Sequence, residues 1–122
     1  MITEDYVSFE TAKLLKEKGF DEKCKTYYKV FPEQRIAAIY HSSENRGVSE
    51  DDPNEILCPT LQMAMKWLRE VHNIDISIIP LRSHKEYLPR IESDTISHDA
   101  IPCKEYEKAA EIAIKYCLEN LI

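Results

Sequence analysis

The sequence predicts an α+β fold in the order helix, strand, strand, helix, strand, strand, helix, with a four-stranded, mainly antiparallel sheet and the helices packed on one of its faces. Three observations lead there. Apolar residues recur at helical spacing in three separated segments. Between them lie two pairs of short apolar or alternating runs, the first pair joined by only a few residues, which favours antiparallel pairing. The chain has 122 residues, 43% apolar and 31% charged, so it is long enough to bury a core without staples and is read as a single domain, 1–122.

The first helix runs from about Phe9 to Lys18, with Ala12, Leu14 and Leu15 towards the core. Ser8 caps its start, and Glu10 lies near the positive end of the dipole. Gly19 follows as the left-handed closing residue, and Phe20 is placed to fold back on the last turn. Cys24 to Phe31 alternates, with Cys24, Thr26, Tyr28 and Val30 on one face and Lys25, Tyr27 and Lys29 on the other, as a half-buried strand does. Pro32 stops it. The run Arg35 to His41, RIAAIYH, is joined to it by FPEQ and completes a hairpin. If one sheet face stays open, Tyr27 and Ile39 are expected on or near it. Ser42 to Leu57 is polar and acidic for too long to be an ordinary turn, and reads as a mobile loop.

The central helix, Thr60 to Asn73, organises the chain. Pro59 and Thr60 suit a helix start, and Asn73 ends it. Leu61, Ala64, Met65, Leu68 and Val71 form the core stripe, and Met63 and the only Trp, Trp67, widen the apolar arc to roughly 200°, beyond the ~100° that packing on one surface requires. Ile74 to Leu81 reads as an interior strand. Tyr87 to Ser93 contains Pro89 and is assigned to a sheet edge. The looser DTISHDAIP leads to a closing helix from about Lys104 to Leu121, apolar over a wide arc that includes Tyr106, Ala109, Ala110, Ala113, Ile114, Cys117 and Leu118.

The net charge of −6 argues against a general phosphate-binding surface. From Lys13 to Arg35, however, seven Lys and Arg face four Asp and Glu, so the remainder of the chain carries −9. Such asymmetry orients association with a partner. The four cysteines, Cys24, Cys58, Cys103 and Cys117, form no CxxC pair, and the N-terminus lacks the features of a signal peptide. A reducing cytoplasm with free thiols is the expected setting. No apolar run is long enough to span a membrane.

Several constellations approach a chemistry without completing it. His84-Lys85-Glu86 followed by Pro102-Cys103-Lys104-Glu105-Tyr106 imitates the zinc-deaminase pattern, but Tyr106 stands where the second cysteine ligand belongs. Cys24, Cys58, His41 and His72 lack the paired spacing of a structural zinc site. Glu50, Asp51, Asp52, Asn54 and Glu55 lack the spacing and central glycine of a calcium loop. With only Gly19 and Gly47, the chain has no glycine-rich phosphate loop. No pattern asks for a cofactor. Cys58, just before the central helix, is the least implausible nucleophile; paired with a histidine under the 42–57 loop, it defines the rival reading of a small enzyme. A third reading is a single-stranded nucleic-acid binder, since Lys23, Lys25 and Lys29 flank Tyr27. A second aromatic on a paired strand is missing from this reading, which weighs against nucleic acid as a partner.

The surplus apolar arc points to protein contact, either a homodimer through the central and closing helices or another protein partner. Met63, Trp67 and Tyr116 are the interface candidates. The competing reading has Trp67 covered within the chain. Three segments, SFETAKLLKEKGFDEKC, CPTLQMAMKWLREVHNIDI and YEKAAEIAIKYCLENLI, resemble small phage- and prophage-encoded proteins of Bacteroidetes, a group of unknown function. The resemblance covers the two ends and the central helix. It implies a genomic setting and not a mechanism, and carries no catalytic or binding residue; the leading reading is a non-enzymatic accessory protein that works by such protein contacts.

Overall fold

The computed structural model describes residues 2–49 and 52–122. The chain divides into two compact units, Met1–Thr60 and Leu61–Ile122. In the first, helix α1 (Phe9–Glu17) begins where the Ser8 hydroxyl accepts the Thr11 N–H at 3.2 Å. It ends at Gly19, whose φ of 90° is open to a residue without a Cβ. The Phe20 N–H then reaches back to the Leu15 carbonyl at 2.9 Å and the Gly19 N–H to Lys16 at 3.2 Å. This double closure lets Phe20 and Leu15 bury together at the helix end.

Strand β1 (Cys24–Phe31) is followed by a 3₁₀ turn, Pro32–Gln34. Arg35, left-handed at φ 55°, reverses the chain into strand β2 (Ile36–Arg46). Strand β3 (Glu55–Leu57) pairs with the other side of β1, giving an antiparallel sheet of order β2-β1-β3. The second unit holds helix α2 (Leu61–His72), strands β4 (Asp75–Leu81), β5 (Glu86–Glu92) and β6 (Ser97–Asp99), and helix α3 (Tyr106–Asn120). Its antiparallel sheet has the order β4-β5-β6. Asn73, at φ 55°, closes α2. Helix α3 lies against β4 and β5 through the fully buried Ala109, Ala110 and Ala113, whose small side chains permit close approach, and α2 meets both α3 and β4. Among the described residues, no helix is long and apolar enough to cross a membrane.

The α+β class holds, but the single four-stranded sheet does not. Each hairpin instead recruits a third strand of three residues, β3 or β6, from a stretch that reads as loop. Those strands occupy the second hydrogen-bonding side of β1 and β5, which makes both central. Much of the 42–57 stretch is therefore strand: β2 continues to Arg46, and β3 resumes at Glu55.

Pro89 is likewise not at an edge, because β5 is the middle strand. The Pro89 carbonyl accepts the Ala100 N–H at 2.9 Å, so its ring nitrogen faces the same side, just past the end of β6. The missing N–H thus removes no bond to β4. Val71, placed in the core stripe from its spacing, is 56% exposed. The buried stripe of α2 is Leu61, Ala64, Met65, Trp67 and Leu68.

Candidate protein-contact surface

The β1–β2 hairpin gathers three exposed large apolar residues, Ile36, Ile39 and Tyr40, on a single strand. Across the ladder Tyr27 pairs with Tyr40, and Tyr28 with Ile39. Paired residues share a face, so Tyr27 and Ile39 lie on opposite faces, and Tyr40 is the residue beside Tyr27. The Tyr27 and Tyr40 rings stack at 5.6 Å and 17°. The Arg46 guanidinium lies 4.2 Å from the Tyr27 ring centre and forms an ion pair with Glu55. Lys29 sits 3.8 Å from Asp52. This face is aromatic with its cations partly answered. On the other face, Tyr28 donates its hydroxyl to the Val7 carbonyl at 3.1 Å and meets Phe9 edge-on. Ile39, one strand out, is exposed.

The phase of the ladder sets what β2 presents at its outer side. Cys58 N–H donates to Thr26 O at 2.9 Å and Val30 N–H to Asn54 O at 2.8 Å, so the even-numbered residues of β1 direct their backbone groups to β3. Alternation turns Tyr27 and Lys29 to β2, where they meet Tyr40 and Ala38. The N–H and C=O of Ala37, Ile39 and His41 therefore point away from the sheet. Among the described residues no strand lies beyond β2. Ile36, Ile39 and Tyr40 are 52%, 43% and 40% exposed, and no proline or lysine interrupts Ile36 to Tyr40. Strand β4 differs: its outward positions alternate with those bonded to β5 and include Pro80, which has no N–H to offer a further strand.

The three interface candidates fall in different settings. Trp67 is 5% exposed, with its ring edge-on to His72 at 4.7 Å. Met63 is partly exposed. Tyr116 is half-buried, and its ring stacks on His98 at 4.4 Å and 11°. These residues form no open aromatic patch around Trp67.

Cys58 is fully buried, its thiol 3.5 Å from the Val7 carbonyl. Its backbone bond to Thr26 puts Cys58, Thr26 and His41 in a row across three strands, and neighbouring strands are ~4.8 Å apart, so Cys58 and His41 are separated by roughly 10 Å. The Thr26 hydroxyl stands between them and takes His41 Nδ1 at 2.9 Å. A cysteine–histidine pair is not assembled here. His84 hydrogen-bonds the neighbouring Ser83 hydroxyl at 3.1 Å, Cys103 points at the Ile101 carbonyl, and Tyr106 accepts from Gln62 at 3.2 Å. Of the acidic stretch, Glu50 and Asp51 lie outside the described residues, while Asp52 turns back on the Asn54 N–H at 3.0 Å. Among the described residues no three His, Cys, Asp or Glu side chains gather as a metal site.

An open cleft of about 400 Å³ lies at the end of α2, between His72–Ile74 and Ser93–Ile96. Asn73 bridges it by donating to Asp94 at 2.8 Å. Among the described residues that line it, His72 is the only imidazole and none carries a thiol.

Nothing in the known protein families, the curated proteins or the solved structures matches this chain. The β2 surface was hidden from sequence reasoning because a run such as IAAIY has the same composition whether it is central or at an edge; only strand order distinguishes the two.

Proposed function

We propose that this protein is a non-enzymatic accessory protein, of phage or prophage origin, that acts through protein–protein contact at the open edge of β2. The observation that carries the reading is the run Ile36 to Tyr40, apolar, exposed and at an unpaired edge. An edge of this kind templates the addition of a further strand, and proteins that have no use for one usually blunt it with Pro, Lys or a bulge. The bulge of β1–β2 comes only beyond His41, after the apolar run. The resemblance of the two ends and the central helix to phage-encoded proteins supports the genomic setting.

The test compares the native chain with Ile39→Lys as baits in a Bacteroidetes lysate, alongside the solution mass of each. The native chain is expected to hold a protein, itself or another, that Ile39→Lys releases. If it neither self-associates nor retains anything the variant loses, the reading falls.

The Tyr27–Tyr40 stack beside Arg46 favours a second reading, single-strand nucleic-acid binding, by supplying the second aromatic that such a platform needs. It is the weaker one, because Arg46 and Lys29 already face Glu55 and Asp52 and have less charge to offer phosphates. Binding to single-stranded DNA that weakens steeply with salt would promote it.

A further inference from the structure

Resting on that reading, we infer that the partner strand is β2 of a second copy, paired antiparallel about a two-fold axis through Ile39, so that two three-stranded sheets join as one of six strands. An antiparallel pair related by a two-fold axis normal to the sheet must set residues of the same face opposite each other, which restricts self-pairing to registers centred on a residue. Three such registers use the apolar run. They are not equivalent.

Centred on Ile39, the pairing sets Ile39 against Ile39, Ala38 against Tyr40 and Ala37 against His41. On both faces an alanine meets a ring, so each large side chain has a small one to lie over. Tyr40 of one copy would also come within reach of Lys29 of the other, because Lys29 is the β1 neighbour of Ala38. Ile36 meets Ser42, and no charges of one sign stand opposite. Centring on Ala38 instead opposes Ile36 to Tyr40 and brings Arg35 against His41. Centring on Tyr40 opposes Ile36 to Glu44 and Ile39 to His41, wasting the apolar side chains.

Charge agrees with the first register. Arg35 precedes the strand and Glu44 lies near its far end. Antiparallel self-pairing brings the Arg35 end of each copy to the Glu44 end of the other. The backbone agrees as well: Ala37, Ile39 and His41 are the residues whose N–H and C=O point outward, and this register joins Ile39 to Ile39 and Ala37 to His41 as hydrogen-bonded pairs. A foreign strand would use the same edge, but nothing would oblige it to place small side chains at both positions facing the rings.

Light scattering on eluting protein gives the solution mass, and a cysteine placed on the axis tests the register. In a Cys24→Ser, Cys103→Ser background, Ile39→Cys puts two thiols on residues whose Cα atoms are ~5.5 Å apart, within the span of a disulfide. The native chain is expected at twice its chain mass, Ile39→Lys at single mass with an unchanged circular dichroism spectrum, and Ile39→Cys to cross-link on mild oxidation where Ile36→Cys does not. A monomeric native chain overturns self-pairing and leaves the contact reading to the capture experiment. A native dimer whose Ile39→Cys form fails to cross-link overturns this interface and places self-association elsewhere on the chain, even if Ile39→Lys does not fold.

Discussion

Trp67 was the residue most exposed to two interpretations, since a large aromatic beyond the core stripe of a helix serves either a partner or the interior. It is buried, edge-on to His72, and Leu68 and Ala64 beside it on α2 are fully enclosed. Truncating such a side chain removes its transfer free energy and leaves a cavity. Trp67→Ala is therefore expected to cost about 3–5 kcal/mol of stability in urea unfolding, while Met63→Ala, at a 39% exposed site, changes it by less than ~1 kcal/mol. Neither is expected to alter the oligomeric state. A stable, folded Trp67→Ala chain of altered mass would return the interface to α2.

At the scale of the element, the distinction that matters is between neighbouring positions of β2. Ala38 turns its N–H to Lys29 of β1, and Ala37 turns its own outward. Proline removes the donor in either case, but only at 38 does the ladder lose a bond. Ala38→Pro is expected to cost ~3 kcal/mol or more, and Ala37→Pro markedly less, read from the unfolding midpoint of each variant. Equal losses would mean that the phase assigned to the edge is wrong. The same phase argument explains Pro89 inside β5, whose ring nitrogen faces away from β4 and just past the end of β6, and Pro80 on β4, whose ring nitrogen faces outward.

The capping elements were legible in advance. Ser8 accepts the Thr11 N–H, Gly19 and Phe20 close α1, Asn73 closes α2, and β1 runs from Cys24 to Phe31 as its alternation indicates. Each depends on neighbours within a few residues. Strands β3 and β6 were not legible, because three residues are too few to show a period; β3 pairs with β1 about thirty residues earlier, and β6 pairs with β5 across a short turn that carries no Gly or Pro to announce it.

Across the whole molecule, the buried Cys117 and the half-buried Cys24 make stability fall at alkaline pH. Burial pushes Cys117 up to about 12 and Cys24 up to about 11, against 9.0 for an ordinary thiol. In the unfolded chain these groups ionise at the lower value. Below pH 9 both states keep the proton and the stabilisation is complete. As pH rises from 9 towards 11 for Cys24, and towards 12 for Cys117, the unfolded state gives up its proton first and stability falls. Unfolding followed from pH 8 to 11 is expected to show this decline, and Cys117→Ser to flatten it in the second unit. A Cys117→Ser chain with an unchanged alkaline slope would contradict the assignment.

The α+β class, the ends of α1 and α2 and the β1–β2 hairpin follow from the sequence alone, because caps, turns and periodicity act over short stretches of chain. The sequence also placed the apolar surplus on the central and closing helices, with Met63, Trp67 and Tyr116 as its interface candidates. The tertiary structure turns Trp67 of α2 inward, leaves Met63 and Val71 of the same helix exposed, and gathers Ile36, Ile39 and Tyr40 on the outer strand β2. Which side of β1 is hydrogen-bonded, and so which strand of that sheet is left at the edge, depends on where β3 pairs. That information resides in a pairing between residues about thirty positions apart, and no local pattern encodes it.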